Sequence, residues 1–272
     1  MRQIVCGLLV FGICLTFVCL AFAAPIDMKK VEVAYLFEEG KGKKAKDVSA
    51  NQRNGSLEGG VKYGPGKFGK GLVYNGEDGN LVVKSYRGIG GTDPRTVLYW
   101  FKSESTRDHS WVKWGINQAT KKYYVRAHVD GAKCYLRVEN NGGNNWGDTN
   151  VCDGKWHHHA VVFPKGAKDV QDHNIYVDGK LNGKAGAAQP MNTDTKSQEV
   201  VMGARLANHV FMHGSFDEVA ILSVDLTVKQ IQLVMTQGLA SALAIEPRDK
   251  LSTNWAIIRL ITVDGPNKSV AH

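Results

Sequence analysis

The stretch Asp153-Gly154-Lys155-Trp156-His157-His158-His159-Ala160-Val161-Val162-Phe163 carries the strongest strand pattern in the chain. Its aspartate–glycine pair is a turn signal, and the residues that follow are rich in valine and aromatic side chains. Further along, Ile175-Tyr176-Val177 precedes Asp178-Gly179 and Lys180-Leu181, which is the best hairpin signal in the sequence. Both segments predict β structure.

Short apolar runs separated by turn signals continue in both directions, as an all-β sandwich requires. On one of these runs Trp111 and Trp114 have odd spacing, so we expect them to face opposite sides of a sheet. One helix is predicted, with Thr227 as N-cap and Gly238 as its stop. Further strands are predicted over residues 31–37, 69–74, 81–83, 96–101, 111–116, 123–129, 134–138, 200–203 and 214–222.

The N-terminus has the pattern of a secretory signal peptide. A short positive region is followed by an uncharged apolar run over residues 4–20 and by Ala21-Phe22-Ala23, which predicts cleavage before Ala24. The alternative is an uncleaved membrane anchor, because the run is at the lower length limit for a span. We therefore divide the chain into a signal peptide (1–23), one domain (24–238) and a C-terminal extension (239–272), which is too short for a second domain.

Cysteine usage and charge agree with export. Cys134 and Cys152 are the pair that remains after cleavage, and an oxidising compartment favours a disulfide over two buried thiols. The net charge of +8 permits attraction to anionic glycans. Aromatic residues do not interleave with the lysines, so we expect no nucleic-acid partner, and we expect no stable membrane insertion after cleavage. The predicted location is secreted or at the cell surface.

Several motifs follow one another in a fixed order along the chain. They are Tyr35-Leu36-Phe37-Glu38-Glu39-Gly40, Gly66-Lys67-Phe68-Gly69, Trp100-Phe101, Trp156-His157-His158 and Gly214-Ser215-Phe216-Asp217-Glu218-Val219. The order and spacing are similar to those of LamG-like jelly-roll domains of the concanavalin A-like lectin/glucanase superfamily, over about residues 31–238. The resemblance implies an all-β fold of two antiparallel sheets in a jelly-roll sandwich, with one short C-terminal helix. It does not fix the function, because one fold can serve many functions.

Catalysis is not expected. Glucanases of this fold carry alternating carboxylates in the pattern E-x-D-x-x-E, and no segment here matches it. Asp217 and Glu218 are adjacent and would point to opposite faces of a sheet. On a strand, His157 and His159 share a face and could ligate a metal, but we favour neutral, hydrogen-bonded histidines inside the sandwich.

Binding residues are expected in the loop over residues 140–148, which is rich in asparagine and glycine. We predict Asn144, Asn145, Trp146 and Asp148 as ligand contacts, because sugars offer an apolar face to an aromatic ring and hydroxyls to amides and carboxylates. The alternative is that this tryptophan covers one end of a sheet, although function does concentrate in loops.

The resemblance also implies one structural Ca²⁺. Asp47, Asn51 and Asp217 are the expected ligands, since this ion prefers carboxylate and carbonyl oxygens. The alternative is hydrogen-bonded turns, which aspartate and asparagine favour.

Taken together, the sequence favours a secreted, non-catalytic module that binds a glycan, a glycoconjugate or a cell-surface protein. The alternatives are a structural or adhesion domain, which a large exposed apolar patch would indicate, and a divergent glycoside hydrolase, which two carboxylates facing one groove would indicate.

Overall fold

A computed structural model describes residues 24–183, 186–196, 199–205 and 210–244. The signal-peptide prediction and all of the extension beyond residue 244 lie outside the described residues. Two short 3-10 turns, Met28–Lys30 and Val170–Asp172, and two helices, α1 (Val228–Gln237) and α2 (Leu239–Ala242), accompany the strands. Within the described ranges the strands are β1 (Val31–Tyr35), β2 (Lys44–Ala45), β3 (Gly55–Glu58), β4 (Lys62–Pro65), β5 (Lys70–Asn75), β6 (Asn80–Lys84), β7 (Arg95–Lys102), β8 (Ser110–Gly115), β9 (Lys122–Asp130), β10 (Lys133–Glu139), β11 (Asn144–Trp146), β12 (Trp156–Phe163), β13 (Asn174–Val177), β14 (Lys180–Leu181), β15 (Glu199–Met202), β16 (Ala204–Arg205), β17 (Val210–Phe211) and β18 (His213–Leu222).

Two antiparallel sheets form the sandwich. The first has the order β14-β13-β12-β7-β18-β5-β4, with β1 also paired to β18, and we name it the helix-covered sheet. The second has the order β11-β10-β9-β8-β15-β6-β3-β2, and we name it the polar-faced sheet. Strands β16 and β17 form a separate small hairpin. The predicted all-β jelly-roll sandwich is thereby confirmed.

The segments that predicted the fold are neighbours in the helix-covered sheet, where β12, β13 and the edge strand β14 lie side by side. Strand β12 pairs with β7 on one side and with β13 on the other. The turn between β13 and β14 has positive φ at both central residues, +51° at Asp178 and +70° at Gly179. This geometry is that of the tight hairpin turns that the Asp-Gly signal predicts.

The main core fills the space between the two sheets. Tyr99, Phe101 and Phe216 from the helix-covered sheet meet Trp111 from the polar-faced sheet there. The prediction that Trp111 and Trp114 face opposite sides is wrong, because both side chains are buried in this core. A register shift in the β8–β9 pairing lies between Ser110 and Val112, and such a bulge changes the alternation of the strand.

A second apolar cluster lies on the outer face of the helix-covered sheet. Leu98, Ala160 and Leu222 pack there with Ile231 and Val234 of helix α1. Burying each of the leucine, isoleucine and valine side chains stabilises the fold by about 1.5–3 kcal/mol. The outer face of this sheet is therefore a structural interface between sheet and helices.

Helix α1 starts and stops where the sequence predicts. Thr227 and Gln230 form a capping box at its start, and Gly238, with φ +80°, ends it. Helix α2 follows at once, and its Leu239 is buried in the second cluster. The first residues of the extension thus pack as part of the domain.

Cys134 and Cys152 are joined in a disulfide, with their Cα atoms 5.7 Å apart. The bond links β10 to the loop that precedes β12. Such a link between distant segments restricts the unfolded chain and typically adds about 2–4 kcal/mol of stability.

The three consecutive histidines have different environments. His157 is held by Asp178 at 2.8 Å and by Asp153 at 3.0 Å. His158 and His159 are fully buried, and neither ring nitrogen of either residue has a hydrogen-bond partner within the described part of the chain. The prediction of hydrogen-bonded interior histidines is therefore wrong for these two, because aromatic rings surround them instead.

Candidate functional site

At one edge of the polar-faced sheet, polar and aromatic side chains of neighbouring strands lie side by side. Apolar and polar residues alternate over most of β9 and β10, so every second side chain points away from the core. Three of these outward side chains, Lys122, Tyr124 and Glu139, are nevertheless buried. Cross-strand pairing brings Arg126 opposite Arg137 and Arg137 opposite Trp146, and it brings His128 opposite Tyr135. We name the outward side chains of β9, β10 and β11 the polar face; its members are Lys122, Tyr124, Arg126, His128, Tyr135, Arg137, Glu139, Asn144 and Trp146.

An aromatic platform lies on this face. The rings of Trp146 and His128 stack with their centroids 4.6 Å apart and their planes 28° from parallel. The Tyr135 ring lies 6.2 Å from that of His128. All three side chains are half-buried, so part of each ring meets solvent. A flat ring surface of this kind can bind the apolar face of a planar or ring-shaped ligand.

A network of charges lies beside the platform. The buried Glu139 carboxylate accepts from Lys122 Nζ at 2.6 Å and contacts Arg137 Nη2 at 2.9 Å. Arg126 Nη1 lies 3.5 Å from the same carboxylate, and its Nη2 pairs with Asp108. Ion pairs that are partly removed from water hold their members in fixed positions. The guanidinium groups are therefore fixed donors at the edge of the platform.

The charges of the network keep Glu139 ionised. Burial alone would raise the pKa of Glu139, but the hydrogen bond from Lys122 and the charges of Arg137 and Arg126 outweigh it and lower that pKa. A carboxyl group with a lowered pKa cannot serve as the proton donor that glycoside hydrolysis requires. This carboxylate therefore accepts hydrogen bonds and does not supply a proton.

The predicted binding residues divide into those on the polar face and those that support the fold. Trp146 and Asn144 point outward from β11, but Asn145 lies between them and is buried. Its Nδ2 atom donates to the carbonyl oxygens of Gln171 and His173, so it anchors a neighbouring loop. Asp148 is exposed and accepts from Asn182 Nδ2 at 2.7 Å.

Sequence reasoning missed most of the polar face. Arg126, His128, Tyr135 and Arg137 are close to Trp146 in space although they lie on other strands. The signal was present, since polar residues occupy every second position of β9 and β10. What the sequence lacks is the register that places these positions side by side.

The predicted calcium ligands are hydrogen-bonded within the chain. Asp47 accepts from the main-chain nitrogens of Ala34, Ser49 and Arg53 and from the Ser49 hydroxyl, which uses both of its carboxylate oxygens. Asn51 Nδ2 donates to two carbonyl oxygens of β1. This arrangement is the hydrogen-bonded turn that was the alternative, and calcium binding stays a prediction.

Asp217 and Glu218 are buried in the interior and lie at a bulge of β18. Asp217 accepts from the main chain of Lys67, Phe68 and Glu218, and Glu218 accepts from the main chain of Leu239. Burial raises the pKa of each carboxyl to about 7. These carboxyls hold loops together. In the described part of the chain, the one group of three potential metal ligands consists of His109 and the two disulfide cysteines.

Among the described residues, no helix has the length and apolar character that a membrane span requires.

The two antiparallel sheets define a jelly-roll domain, and one of its outer faces carries partly exposed aromatic and charged side chains. The chain belongs to the concanavalin A-like lectin/glucanase superfamily, since a Laminin_G_3 family profile with that description matches residues 75–232.

Solved structures share the fold at low sequence identity. Domain 4 of AbnA, an extracellular GH43 arabinanase from Geobacillus stearothermophilus in complex with arabinotriose, is 19% identical with a TM-score of 0.59; the match covers 76% of this chain and 98% of that one. The binding domain of botulinum neurotoxin DC in complex with SialylT is 10% identical, with a TM-score of 0.52 and coverage of 78% and 52%. The same toxin domain in complex with rat synaptotagmin II is 11% identical, with a TM-score of 0.53 and coverage of 77% and 52%.

The chain thus spans about half the length of the toxin domains. No curated protein sequence matches the chain significantly.

Proposed function

We propose that this protein is a secreted, non-catalytic module that binds a glycan on the polar face. The observation that carries the proposal is the half-exposed stack of Trp146 on His128 beside the fixed guanidinium group of Arg137. The ring surface would pack against the apolar side of a sugar, and the charged groups would bind its hydroxyls.

The chemistry of the polar face suits sugars. Arginine offers several donors in a rigid plane, and an ionised carboxylate is an acceptor for hydroxyl groups. Because Arg137 is already held by Glu139, little side-chain entropy is lost when a ligand binds. The face is thus organised before the ligand arrives.

The similar structures support a binding role in general terms. One is bound to arabinotriose and another to SialylT, and each belongs to a larger extracellular enzyme or toxin. At identities below one fifth, this likeness supports the fold and leaves the ligand of the present chain to experiment.

A non-catalytic role is supported by the state of the carboxyl groups. Glu139 has a lowered pKa, whereas Asp217 and Glu218, whose pKa values are raised, are buried against main-chain donors. Hydrolysis of a polysaccharide would require a carboxylic acid with a raised pKa and a second carboxylate, both reachable from one groove.

A protein partner is the second candidate, because one similar domain is bound to synaptotagmin II. Large apolar side chains exposed within the described residues are Val73, Val129, Leu181 and Val228, and they lie on four different elements. Single exposed apolar residues are common on protein surfaces and indicate no interface. This candidate therefore ranks second.

The test is a glycan array probed with the chain purified from the medium of cells that secrete it. We expect binding to a defined set of glycans, and we expect Trp146→Ala to weaken it at least about fivefold, since a stacked ring contributes about 1–3 kcal/mol. N-terminal sequencing of the same sample tests cleavage before Ala24.

The matched control is Trp156→Ala. Trp156 is another half-buried tryptophan, but it lies on β12 of the helix-covered sheet. Its loss should leave the array pattern unchanged. A folded protein that binds no glycan on the array would refute the proposal and favour a protein partner.

A further inference from the structure

A second feature that could bind a ligand lies away from the polar face. A cavity of about 490 Å³ opens between β1, the loop before β3 and the loop after β6. Known small-molecule sites are about 300–1,000 Å³ in volume, so a sugar-sized molecule fits. Its lining residues are Glu32, Arg53, Ser85, Tyr86, Arg87, Gly88 and Lys196.

The cavity carries more positive than negative charge. Arg53, Arg87 and Lys196 contribute three cations, and Glu32 contributes one carboxylate. The Glu32 carboxylate is paired with Arg53 Nη1 at 2.7 Å, which offsets its repulsion of an anion. A concave surface with an excess of cations concentrates anions.

Arg53 is held in place before any ligand binds. Its Nη1 atom donates to the carbonyl and to the carboxylate of Glu32, and its guanidinium group lies 4.2 Å from the centre of the Tyr86 ring. Neither Nη2 nor Nε of Arg53 has an acceptor among the described residues. A fixed guanidinium group with free donors matches the geometry of an oxyanion.

The other two cations are available. Arg87 is 63% exposed, and its nearest carboxylate, Asp194, is 3.9 Å away, beyond hydrogen-bond distance. Lys196 is exposed and has no ion-pair partner in the described ranges. Neither side chain is needed by the core, so both can turn towards a ligand.

We propose that this cavity binds an oxyanion, namely the sulfate or phosphate ester of a sugar-sized molecule. Arg53 supplies the fixed donors, Arg87 and Lys196 close over the anion, and the Tyr86 ring forms an apolar wall. The cavity follows β6, which is five strand positions from β11. At about 4.8 Å per strand, the two sites lie about 24 Å apart across the sheet. The oxyanion site does not depend on the glycan proposal.

The test is isothermal titration calorimetry of the secreted full chain with glucose 6-sulfate, glucose 6-phosphate and unmodified glucose. We expect at least one ester to bind and glucose not to bind at this site. The double variant Arg87→Gln, Lys196→Gln should raise the Kd about 100-fold, or about tenfold for each charged hydrogen bond removed. The tighter ester identifies which oxyanion the site prefers.

Two controls separate this site from its surroundings. Lys84→Gln removes an exposed charge next to the same loop but outside the cavity, and it should change the Kd by less than about twofold. Arg137→Gln on the polar face should also leave ester binding intact. The proposal is overturned if neither ester binds more tightly than glucose, if the double variant binds as the wild type does, or if Arg137→Gln abolishes ester binding.

Discussion

Both sheets of the sandwich are antiparallel, but the side chains on their outer faces differ. On the helix-covered sheet, the outward residues Leu98, Ala160 and Leu222 are apolar and are sealed by helices α1 and α2. On the polar-faced sheet, the outward residues of β9 and β10 include Arg126, Arg137 and Glu139. One face contributes to stability, and we propose that the other contributes to recognition.

The difference is encoded in the strands themselves. Strand β7 is buried at seven consecutive positions, Arg95 to Phe101, because one face meets the other sheet and the other face meets the helices or loops. Strands β9 and β10 alternate apolar with polar residues over most of their length, which is the pattern of a sheet with one face away from the core. Substitutions on the helix-covered face should therefore lower stability, whereas substitutions on the polar face should weaken binding.

The largest expected effect is on the helix-covered face. Leu98→Ala removes a buried side chain under helix α1 and should lower the free energy of unfolding by about 2–5 kcal/mol. Glycan binding should be unchanged. Urea denaturation measures the first effect. Tyr135→Ala, on the polar face, is the comparison and should cost less than about 1 kcal/mol; equal losses for both variants would contradict the division between the two faces.

The interior also differs from the polar face in its response to acid. Burial lowers the pKa of His159 well below its ordinary value, so its contribution to stability is present above pH 6.5 and is lost as the pH falls below that. His159→Phe should therefore become more stable relative to the wild type by up to about 1.4 kcal/mol for each pH unit below 6.5.

The control for the acid experiment is His128→Phe on the polar face. Burial lowers the pKa of His128 as well, but this side chain is half-exposed and its effect should be much smaller. The test is to measure the free energy of unfolding of the wild type and both variants at several pH values between 7 and about 4.5. If the free energy of unfolding of His159→Phe changed with pH in the same way as that of the wild type, His159 would not be held neutral in the folded protein.

A smaller effect is expected for Arg137→Gln. The change removes a charged donor from the platform edge and should weaken binding of the best array glycan about tenfold. Fluorescence or calorimetric titration measures the affinity, and circular dichroism checks the fold. An unchanged affinity would place the ligand elsewhere.

The smallest effect is expected for calcium. Because Asp47 and Asp217 already accept several hydrogen bonds from the chain, adding Ca²⁺ should change the thermal midpoint by less than about 2 °C relative to a chelator. A rise of many degrees would establish the calcium site implied by the family resemblance. Asp47→Asn should abolish such a rise.

The sequence predicts local structure well where the pattern is local. Residues 156–163, the Asp178–Gly179 turn and the helix that starts after Thr227 all occur where they are predicted. The short strands β2, β3, β4, β11, β16 and β17 are missed, because two to four residues carry too little pattern. The error at Trp111 and Trp114 has a single cause, which is a bulge that no residue type announces.

The candidate site was predicted only in part, for a different reason. Trp146 and Asn144 are recognisable from the composition of one loop, but their partners lie on two other strands. Those partners follow from register, which the alternation of β9 and β10 alone does not fix. The buried role of Asn145 depends on a loop about 26 residues further along the chain.

The most direct test of the central claim is an NMR titration of the isotopically labelled chain with its best array glycan. The polar-face account predicts that the largest chemical-shift changes occur at the amides of β9, β10 and β11 and at the Trp146 indole N–H. It also predicts that the amides of helix α1 and of β7 hardly change. Shifts concentrated in helix α1, or on strands other than these three, would contradict the assignment of the polar face as the binding site.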